Sequence, residues 1–282
     1  MHTSSPALIS PELTEIDFER RFGGIARLYG APALARFRAA RVCVIGVGGV
    51  GSWIVEALAR SAIGHLTLID LDNVAESNIN RQIQAMSDTI GKAKITALAE
   101  RISLINPYCQ VTQVEDFIAP DNLDELLGGQ QFDYLVDAID NARAKAAVIA
   151  WCRAHEIPML TIGSAGGQTD PTMIAVRDLA KTEQEPLLKR VRKHLRNTHG
   201  FPRGEKHKFH VDAVFSMERI SAPEVAQACE LADTADTTDS NDGGAGVTGL
   251  NCAGYGSGVV VTATFGMVAA AHVLNSLRLA ST

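Results

Sequence analysis

The sequence VCVIGVGGVG at residues 42–51 decides the fold of this protein. Its apolar half predicts a short buried strand, and Gly46, Gly48 and Gly51 follow that strand with the spacing G-x-G-x-x-G. Glycines at this spacing permit a tight turn and let backbone N–H groups approach a phosphate at the N-terminus of the next helix. Residues Val50–Ser61 have the composition of that helix, so the stretch predicts a strand, a phosphate-binding loop and a helix.

The alternation of strands and helices continues to about Gly167. A second strand, His65–Asp70, ends in a carboxylate 19 residues after Gly51, which is the usual place for the group that binds ribose hydroxyls. This alternation predicts an α/β fold with a doubly wound, mostly parallel, Rossmann-like sheet. The other predicted elements are the strands Val42–Ile45, Gln110–Glu115, Tyr134–Asp137 and Met159–Ile162 and the helices Lys92–Ile105, Asn122–Leu127 and Arg143–His155.

The chain divides into three predicted segments. The first is an arm with helical pieces at Pro11–Arg20 and Pro32–Arg38, separated by a break at Gly23-Gly24. The last contains a basic segment, an acidic loop and an apolar segment that we expect to pack on the sheet. The segments are an N-terminal arm at residues 1–40, a nucleotide-binding domain at residues 41–180 and a C-terminal region at residues 181–282.

Composition restricts the class of protein. With 46% apolar residues and a mean hydropathy of +0.05, the chain is an ordinary globular protein rather than a disordered or collagen-like one. Its five cysteines are odd in number and form no C-x-x-C pair, which argues against a disulfide framework and a four-cysteine zinc site. Residues 1–15 lack the features of a secretory signal, so we expect a reducing, cytoplasmic setting.

Charge is unevenly distributed along the C-terminal region. The whole chain has a net charge of −6, but residues 185–210 carry eight Lys or Arg against two acidic residues. Such a segment is a candidate contact for RNA phosphates, and a solvated helix and loop is the alternative. The candidate residues are Lys189, Arg190, Arg192, Lys193 and Arg196.

An uncharged apolar segment follows, at residues 259–274. It is shorter than the roughly 20 residues that span a bilayer. We therefore predict a buried core strand or helix, with peripheral membrane association as the weaker alternative.

Polar residues beyond the second strand favour ATP over NAD as the nucleotide. Arg81 and Lys94 supply cations for a triphosphate, and Asp140 supplies a carboxylate for the Mg²⁺ that usually accompanies it. Each residue also has an ordinary interpretation: a surface cation, a solvated helix face and a helix N-cap. Together, at these spacings, they indicate a site that makes the α-phosphate electrophilic.

The run Gly46–Asp140 resembles the nucleotide-binding half of the ThiF/MoeB-type adenylating enzymes of the ubiquitin-activating superfamily. That family carries the motifs GxGGxG, D-x-D, N-x-x-R-Q, a lysine and a D-N pair. Later motifs, such as Gly166-Gly167-Gln168 and Asp178–Thr182, resemble the dehydratase branch, which acts on threonylcarbamoyladenosine in tRNA. The matching positions are Gly46, Gly48, Gly49, Gly51, Asp70, Asp72, Asn78, Arg81, Gln82, Lys94, Asp140 and Asn141.

The resemblance implies a homodimer that uses ATP and Mg²⁺ to adenylate a carboxylate. In the family the arginine of N-x-x-R reaches the triphosphate and the lysine steadies phosphates, roles that pass to Arg81 and Lys94. The ribose and metal roles pass to Asp70 and Asp140. A second arginine common near the arm's first is replaced here by Gly24, so Arg21 and Arg27 are only weak candidates.

For this branch the implied substrate is the threonylcarbamoyl group beside the tRNA anticodon, which loses water as it closes into a ring. A pair of C-x-x-C zinc knuckles is common in ThiF/MoeB relatives and is missing from this sequence. Their absence favours the dehydratase branch over activators of sulfur carriers. The alternative within the same chemistry is adenylation of a small carrier protein, with Cys252 attacking the acyl-adenylate and a cysteine-desulfurase or sulfur-acceptor system as partner. For Cys252, a small buried apolar role is the competing interpretation. Two other classes stay open: an NAD(P)-dependent oxidoreductase and a non-catalytic tRNA-binding module.

Overall fold

The computed structural model describes residues 17–204, 206–220 and 255–279. The start of the arm, the acidic loop and Cys252 lie outside these ranges. The strands are β1 Arg41–Ile45, β2 His65–Ile69, β3 Gln110–Val114, β4 Tyr134–Asp137, β5 Met159–Ile162, β6 Ile174–Asp178 and β7 Asp212–Ser216. The α-helices are α1 Phe18–Tyr29, α2 Ala31–Ala39, α3 Gly51–Arg60, α4 Lys94–Ile105, α5 Leu123–Leu127, α6 Ala142–Ala154, α7 Pro186–Thr198 and α8 Val259–Leu279.

The seven strands form one sheet in the order β3-β2-β1-β4-β5-β7-β6. All neighbours are parallel except β6, which runs antiparallel to β7. The predicted doubly wound, mostly parallel α/β sheet is therefore confirmed. Strand order reverses at β1, which lies between β2 and β4, and ligands of such sheets bind beside the carboxyl ends of the strands at this point.

Both faces of the sheet are covered, and consecutive residues of β1 show how. Val42 and Val44 belong to the core under α2, α3, α4 and α8, whereas Cys43 and Ile45 belong to the core under α5, α6 and α7. All four side chains are at most 1% exposed. A strand buried on both faces has to be continuously apolar, which explains why this run is the clearest strand in the sequence.

Helix α8 is the predicted apolar core element along one face only, and its other face is exposed. Its inner face, which includes Phe265 and Val273, is buried in the same core as α3. A side chain at Gly266 would place its Cβ 2.5 Å from the Cβ of Trp53, so the glycine lets α8 approach α3 closely. By length and composition α8 also passes for a membrane span, but that is weak support because core helices pass the same test.

The predicted break at Gly23-Gly24 is wrong, because α1 continues through both glycines. Each glycine costs about 1 kcal/mol relative to alanine. Burial of Phe22, whose ring centroid lies 4.9 Å from that of Phe18, and capping by Asp17, which accepts from the Arg20 N–H, hold the helix together. The chain turns instead at Gly30, with φ of 92°. The first part of the predicted Pro11–Arg20 helix lies outside the described residues.

Candidate active site

The glycine loop between β1 and α3 has no room for side chains on its inner side. A Cβ at Gly51 would lie 1.8 Å from the Gly46 carbonyl oxygen, and Gly46 itself has a φ of 82°. The outer side differs, since a Cβ at Gly48 would meet nothing nearer than Gln82 Nε2 at 3.9 Å. The turn thus needs glycine at positions 46 and 51, whereas Gly48 leaves the backbone accessible to a ligand.

Asp70, Asp72 and Lys94 form a charged cluster at the carboxyl end of β2. The Lys94 ammonium lies 2.6 Å from Asp72 Oδ2 and 3.9 Å from Asp70 Oδ1, although Lys94 is only 6% exposed. Asp70 also accepts from the N–H of Val47 in the glycine loop, at 2.8 Å. Burial raises the pKa of Asp70, and the Lys94 cation opposes that rise. The cluster therefore fixes the loop and leaves a cation at the pocket wall.

Arg81, Asn78 and Gln82 come from the segment between β2 and α4. The Arg81 guanidinium donates to the Ser77 carbonyl and to Asn80 Oδ1, at 2.7 and 2.9 Å. Its own carbonyl accepts from the Trp53 indole N–H at 3.0 Å, which ties the segment to α3. Asn78 is buried and its Oδ1 accepts from the Ala75 N–H, so it holds the turn that presents Arg81.

Asp140 lies exposed just beyond the carboxyl end of β4. It is not the N-cap of the following helix, because the Asn141 side chain accepts from the N–H groups of Arg143 and Ala144. Below it, the fully buried Lys145 ammonium lies 3.0 Å from Asp137 Oδ1 and donates to the Ile139 carbonyl at 2.9 Å. This buried pair holds the loop that carries Asp140.

These residues line one pocket of about 570 Å³, a size typical of small-molecule sites. The structure brings together every predicted nucleotide-binding residue except Gly51, which lies beneath the loop rather than on the wall. Among the described residues no group of three or more His, Cys, Asp or Glu forms a metal cluster. The predicted residues on the wall are Gly46, Gly48, Gly49, Asp70, Asp72, Asn78, Arg81, Gln82, Lys94 and Asp140.

Other pocket residues were missed by sequence reasoning. Asp116 and Phe117 follow β3, which pairs in parallel with β2, so they reach the same edge of the sheet as Asp70. The position after a predicted strand was the signal that could have found them. Leu187 in the first turn of α7 and Ser257 just before α8 also line the pocket, and no local motif marks either. The loop after β5 contributes Gly163, Ser164, Ala165 and Gly166.

The structure does not bring the basic residues or the arm arginines into this pocket. The basic residues of α7, together with Arg203, line a separate surface groove of about 660 Å³. Arg21 donates to the carbonyls of Leu104 and Ile105 at the end of α4, beside another surface pocket. Arg27 lines neither the nucleotide pocket nor the groove.

Residues 22–282 match the ThiF family. The chain is 49% identical over 262 residues to the tRNA threonylcarbamoyladenosine dehydratase of Haemophilus influenzae, covering 93% of this chain and 94% of that protein. It also resembles the crystal structure of the Escherichia coli tRNA N6-threonylcarbamoyladenosine dehydratase, TcdA, in complex with ATP. There the TM-score is 0.79 and the identity 46%, with 92% of this chain and 94% of that chain covered.

A molybdopterin-synthase adenylyltransferase is a more distant relative. The molybdopterin-synthase adenylyltransferase of Escherichia coli is 31% identical over 121 residues, which is 43% of this chain and 48% of that protein. The fold and the pocket define an α/β nucleotide-binding protein of the adenylating type. The chain belongs to the ThiF family, and the predicted resemblance to its dehydratase branch is confirmed.

Proposed function

We propose that this chain is an ATP-dependent tRNA threonylcarbamoyladenosine dehydratase. One observation carries the proposal: a single pocket collects the glycine loop, two cations and an exposed carboxylate in a chain 49% identical to a dehydratase of that name. The crystal structures of the Escherichia coli dehydratase with ATP and with AMP support ATP as the nucleotide.

The chemistry follows from the poor reactivity of a carboxylate. Expelling oxide from it is prohibitive, whereas transfer of AMP turns the oxygen into part of a good leaving group. Lys94 and Arg81 both line the pocket, and in this proposal their charges stabilise the negative charge that develops as pyrophosphate departs. Asp70 holds the ribose hydroxyls. The neighbouring carbamoyl oxygen, already tethered to the activated carbonyl, attacks it and closes the ring. The bond from the carbonyl carbon to the AMP oxygen breaks, and AMP leaves as the carbamoyl group loses an N–H proton.

Tethering accounts for the second step without a covalent enzyme intermediate. An intramolecular attack avoids up to about 7–11 kcal/mol of the barrier of a bimolecular encounter. A cysteine nucleophile is therefore not needed. Cys252, the candidate for such a role and for a sulfur-acceptor partner, lies outside the described residues. Burial raises the pKa of Cys109 and of Cys152, each to about 12, so neither is a ready thiolate.

Mg²⁺ fits the residues present. It usually binds proteins through one or two carboxylates and takes its other ligands from water and substrate phosphates. Asp140 offers one exposed carboxylate on the pocket wall, whereas Asp72 is already paired with Lys94. When bound, the ion would neutralise charge on the phosphates, and Asp140 would hold it.

We propose that the basic groove of α7 contacts tRNA. We also propose that the protein works in the cytoplasm. Lys189, Arg190 and Lys193 are exposed along one side of the helix and available to phosphates. Because Leu187 of the same helix lines the nucleotide pocket, RNA in the groove would lie next to the site of adenylation.

Replacing Lys189, Arg190 and Lys193 with glutamine is expected to weaken tRNA binding and to reduce the slope of log K against log salt by about 2 to 3. For each cation that is removed, about one fewer counterion is released from the RNA when the protein binds. Filter binding across a salt series measures the slope. The matched control replaces the exposed Arg20 and Arg27 of α1 with glutamine and should keep the wild-type slope. A triple variant that follows the wild-type line would exclude the groove.

A second copy of the chain is the proposed partner of the outer face of α8. Val259, Val260 and Met267 are 41%, 61% and 43% exposed along its first half, an apolar surface suited to a homodimer. We expect sedimentation to give a dimer for the wild type and a monomer for Val260→Asp. A monomeric wild type would contradict this.

The direct test of the function is ring closure on tRNA. Incubation with ATP, Mg²⁺ and bulk tRNA is expected to remove one water from the threonylcarbamoyl nucleoside, as read by mass spectrometry. Omitting ATP should abolish the change. Three results would overturn the proposal: activity only on a carrier protein, a requirement for a nicotinamide cofactor, or a nucleoside that stays unchanged.

A further inference from the structure

Glu185 is a buried carboxylate that holds two pocket segments at once. It is the N-cap of α7, where one carboxylate oxygen accepts from the Leu188 N–H. Its other oxygen accepts from the Ser164 N–H at 2.9 Å, in the loop after β5. Helix N-caps are usually short side chains that reach only their own helix. The longer glutamate side chain joins the helix to a loop 21 residues away in sequence.

The two segments that Glu185 joins form one wall of the nucleotide pocket. Gly163, Ser164 and Leu187 all line it. The fit is tight, because a Cβ at Gly163 would lie 3.1 Å from Glu185 Cγ. Glu185 is itself only 2% exposed, so it supports the wall from behind and does not face the ligand.

Glu185 interacts electrostatically with two cations that belong to different parts of the site. One is Lys145, which holds the loop carrying Asp140 and whose charge favours the ionised carboxylate. The other is Arg192, which donates to Thr182 Oγ1 and lines the basic groove. Burial raises the pKa of Glu185, and the backbone donors and Lys145 oppose that rise.

We propose that Glu185 is a positioning residue that aligns the wall at residues 163–166 with α7, so that RNA held in the groove presents its carboxylate to the adenylation pocket. The inference rests on the proposed function. A helix rises 1.5 Å per residue, so Leu187 at the pocket and Arg196 in the groove are only roughly 14 Å apart along α7. A misalignment of about 1 Å between them would matter, since such shifts cost up to about 100-fold in rate.

The variant Glu185→Gln tests the proposal. It keeps the shape, but its amide replaces one acceptor oxygen with a donor that faces a backbone N–H, and the negative charge that interacts with Lys145 and Arg192 is lost. We expect kcat for ring closure to fall about tenfold, with ATP affinity within twofold of wild type. Glu185→Asp keeps the carboxylate and the cap but is one methylene too short to reach Ser164 as well, so we expect it to lose the rate as Glu185→Gln does.

Hydrogen exchange supplies a readout independent of turnover. The Ser164 amide should exchange about tenfold faster in Glu185→Gln, because a tenfold change in opening corresponds to one lost hydrogen bond of ordinary strength. The matched control is Glu56→Gln, which removes another buried carboxylate, paired with Arg60 and Arg101 away from the pocket. It should leave both Ser164 exchange and kcat unchanged.

The inference is overturned if Glu185→Gln keeps wild-type kcat and wild-type exchange at Ser164. It is also overturned if ATP affinity and kcat fall in parallel with the folded fraction, as in a merely destabilised protein. Failure of the proposed function has a different signature. There the wild type itself closes no ring, while the exchange of Ser164 still reports whether Glu185 holds the wall.

Discussion

Replacing Lys94 by methionine is expected to lower kcat/KM for ATP by about 10²–10³-fold, the range seen when one preorganised electrostatic donor is removed. The methionine keeps the length and burial of the side chain but removes the ammonium. Asp70 and Asp72 then lie uncompensated beside the incoming triphosphate. Steady-state kinetics of AMP formation in the presence of tRNA measures the effect.

Lys92→Met is the matched control for this variant. Lys92 lies two residues earlier and forms a surface ion pair with Glu100 at 2.7 Å, and it does not line the pocket. A surface pair of this kind contributes at most about 1 kcal/mol to stability. We therefore expect nearly wild-type kinetics. If Lys94→Met is as active as Lys92→Met, Lys94 has no role in stabilising phosphate charge.

Replacing Gly48 by alanine is expected to weaken ATP binding about 100-fold with little change in Tm. The nearest protein atom to the new methyl group would be 3.9 Å away, so the free protein has room for it. Bound phosphates would leave no room for this methyl group, because the proposed site holds them in close contact with the loop backbone. Overpacking of this kind costs about 1–3 kcal/mol, which corresponds to roughly 5- to 150-fold in affinity.

Gly129→Ala controls for the backbone effect of replacing a glycine. Gly129 lies in an exposed turn, and nothing lies within 4 Å of its would-be Cβ. Calorimetric titration with ATP should give wild-type affinity for this variant. Equal affinities in Gly48→Ala and the wild type would show that the glycine loop is a packing turn rather than a phosphate site.

The local patterns predict the first half of the fold well, for a physical reason. Strands β1, β4 and β5 are short and largely buried on both faces, so most of their residues are apolar, and each strand ends at or just before a glycine or an acidic residue. The glycine spacing directly after β1 then predicts the glycine loop. The same logic brings Asp70 and Asp140 to one edge, because parallel strands share their carboxyl ends.

The elements that sequence reasoning missed depend on distant contacts. Strand β6 is only half-buried and pairs antiparallel with β7, so no continuous apolar run marks it. The Gly23-Gly24 prediction failed because local propensity was outweighed by the burial of Phe22. In the sequence, Glu185 is only one acidic residue at the start of a basic segment. Its contact with Ser164 exists only after β5 and α7 have come together.

Lys94, Arg81 and Asp140 all line the pocket that also contains the glycine loop. Sequence spacing alone could not show that Asn141, rather than Asp140, caps α6. That detail matters because it leaves the Asp140 carboxylate available to a ligand.

The products formed from ATP labelled at the α-phosphate test the central claim most directly. With tRNA that carries threonylcarbamoyladenosine, the label is expected in AMP, with one pyrophosphate released for each ring closed. Label recovered in ADP with free phosphate, or rings closed without consumption of ATP, would contradict the claim that this pocket activates a carboxylate by adenylation.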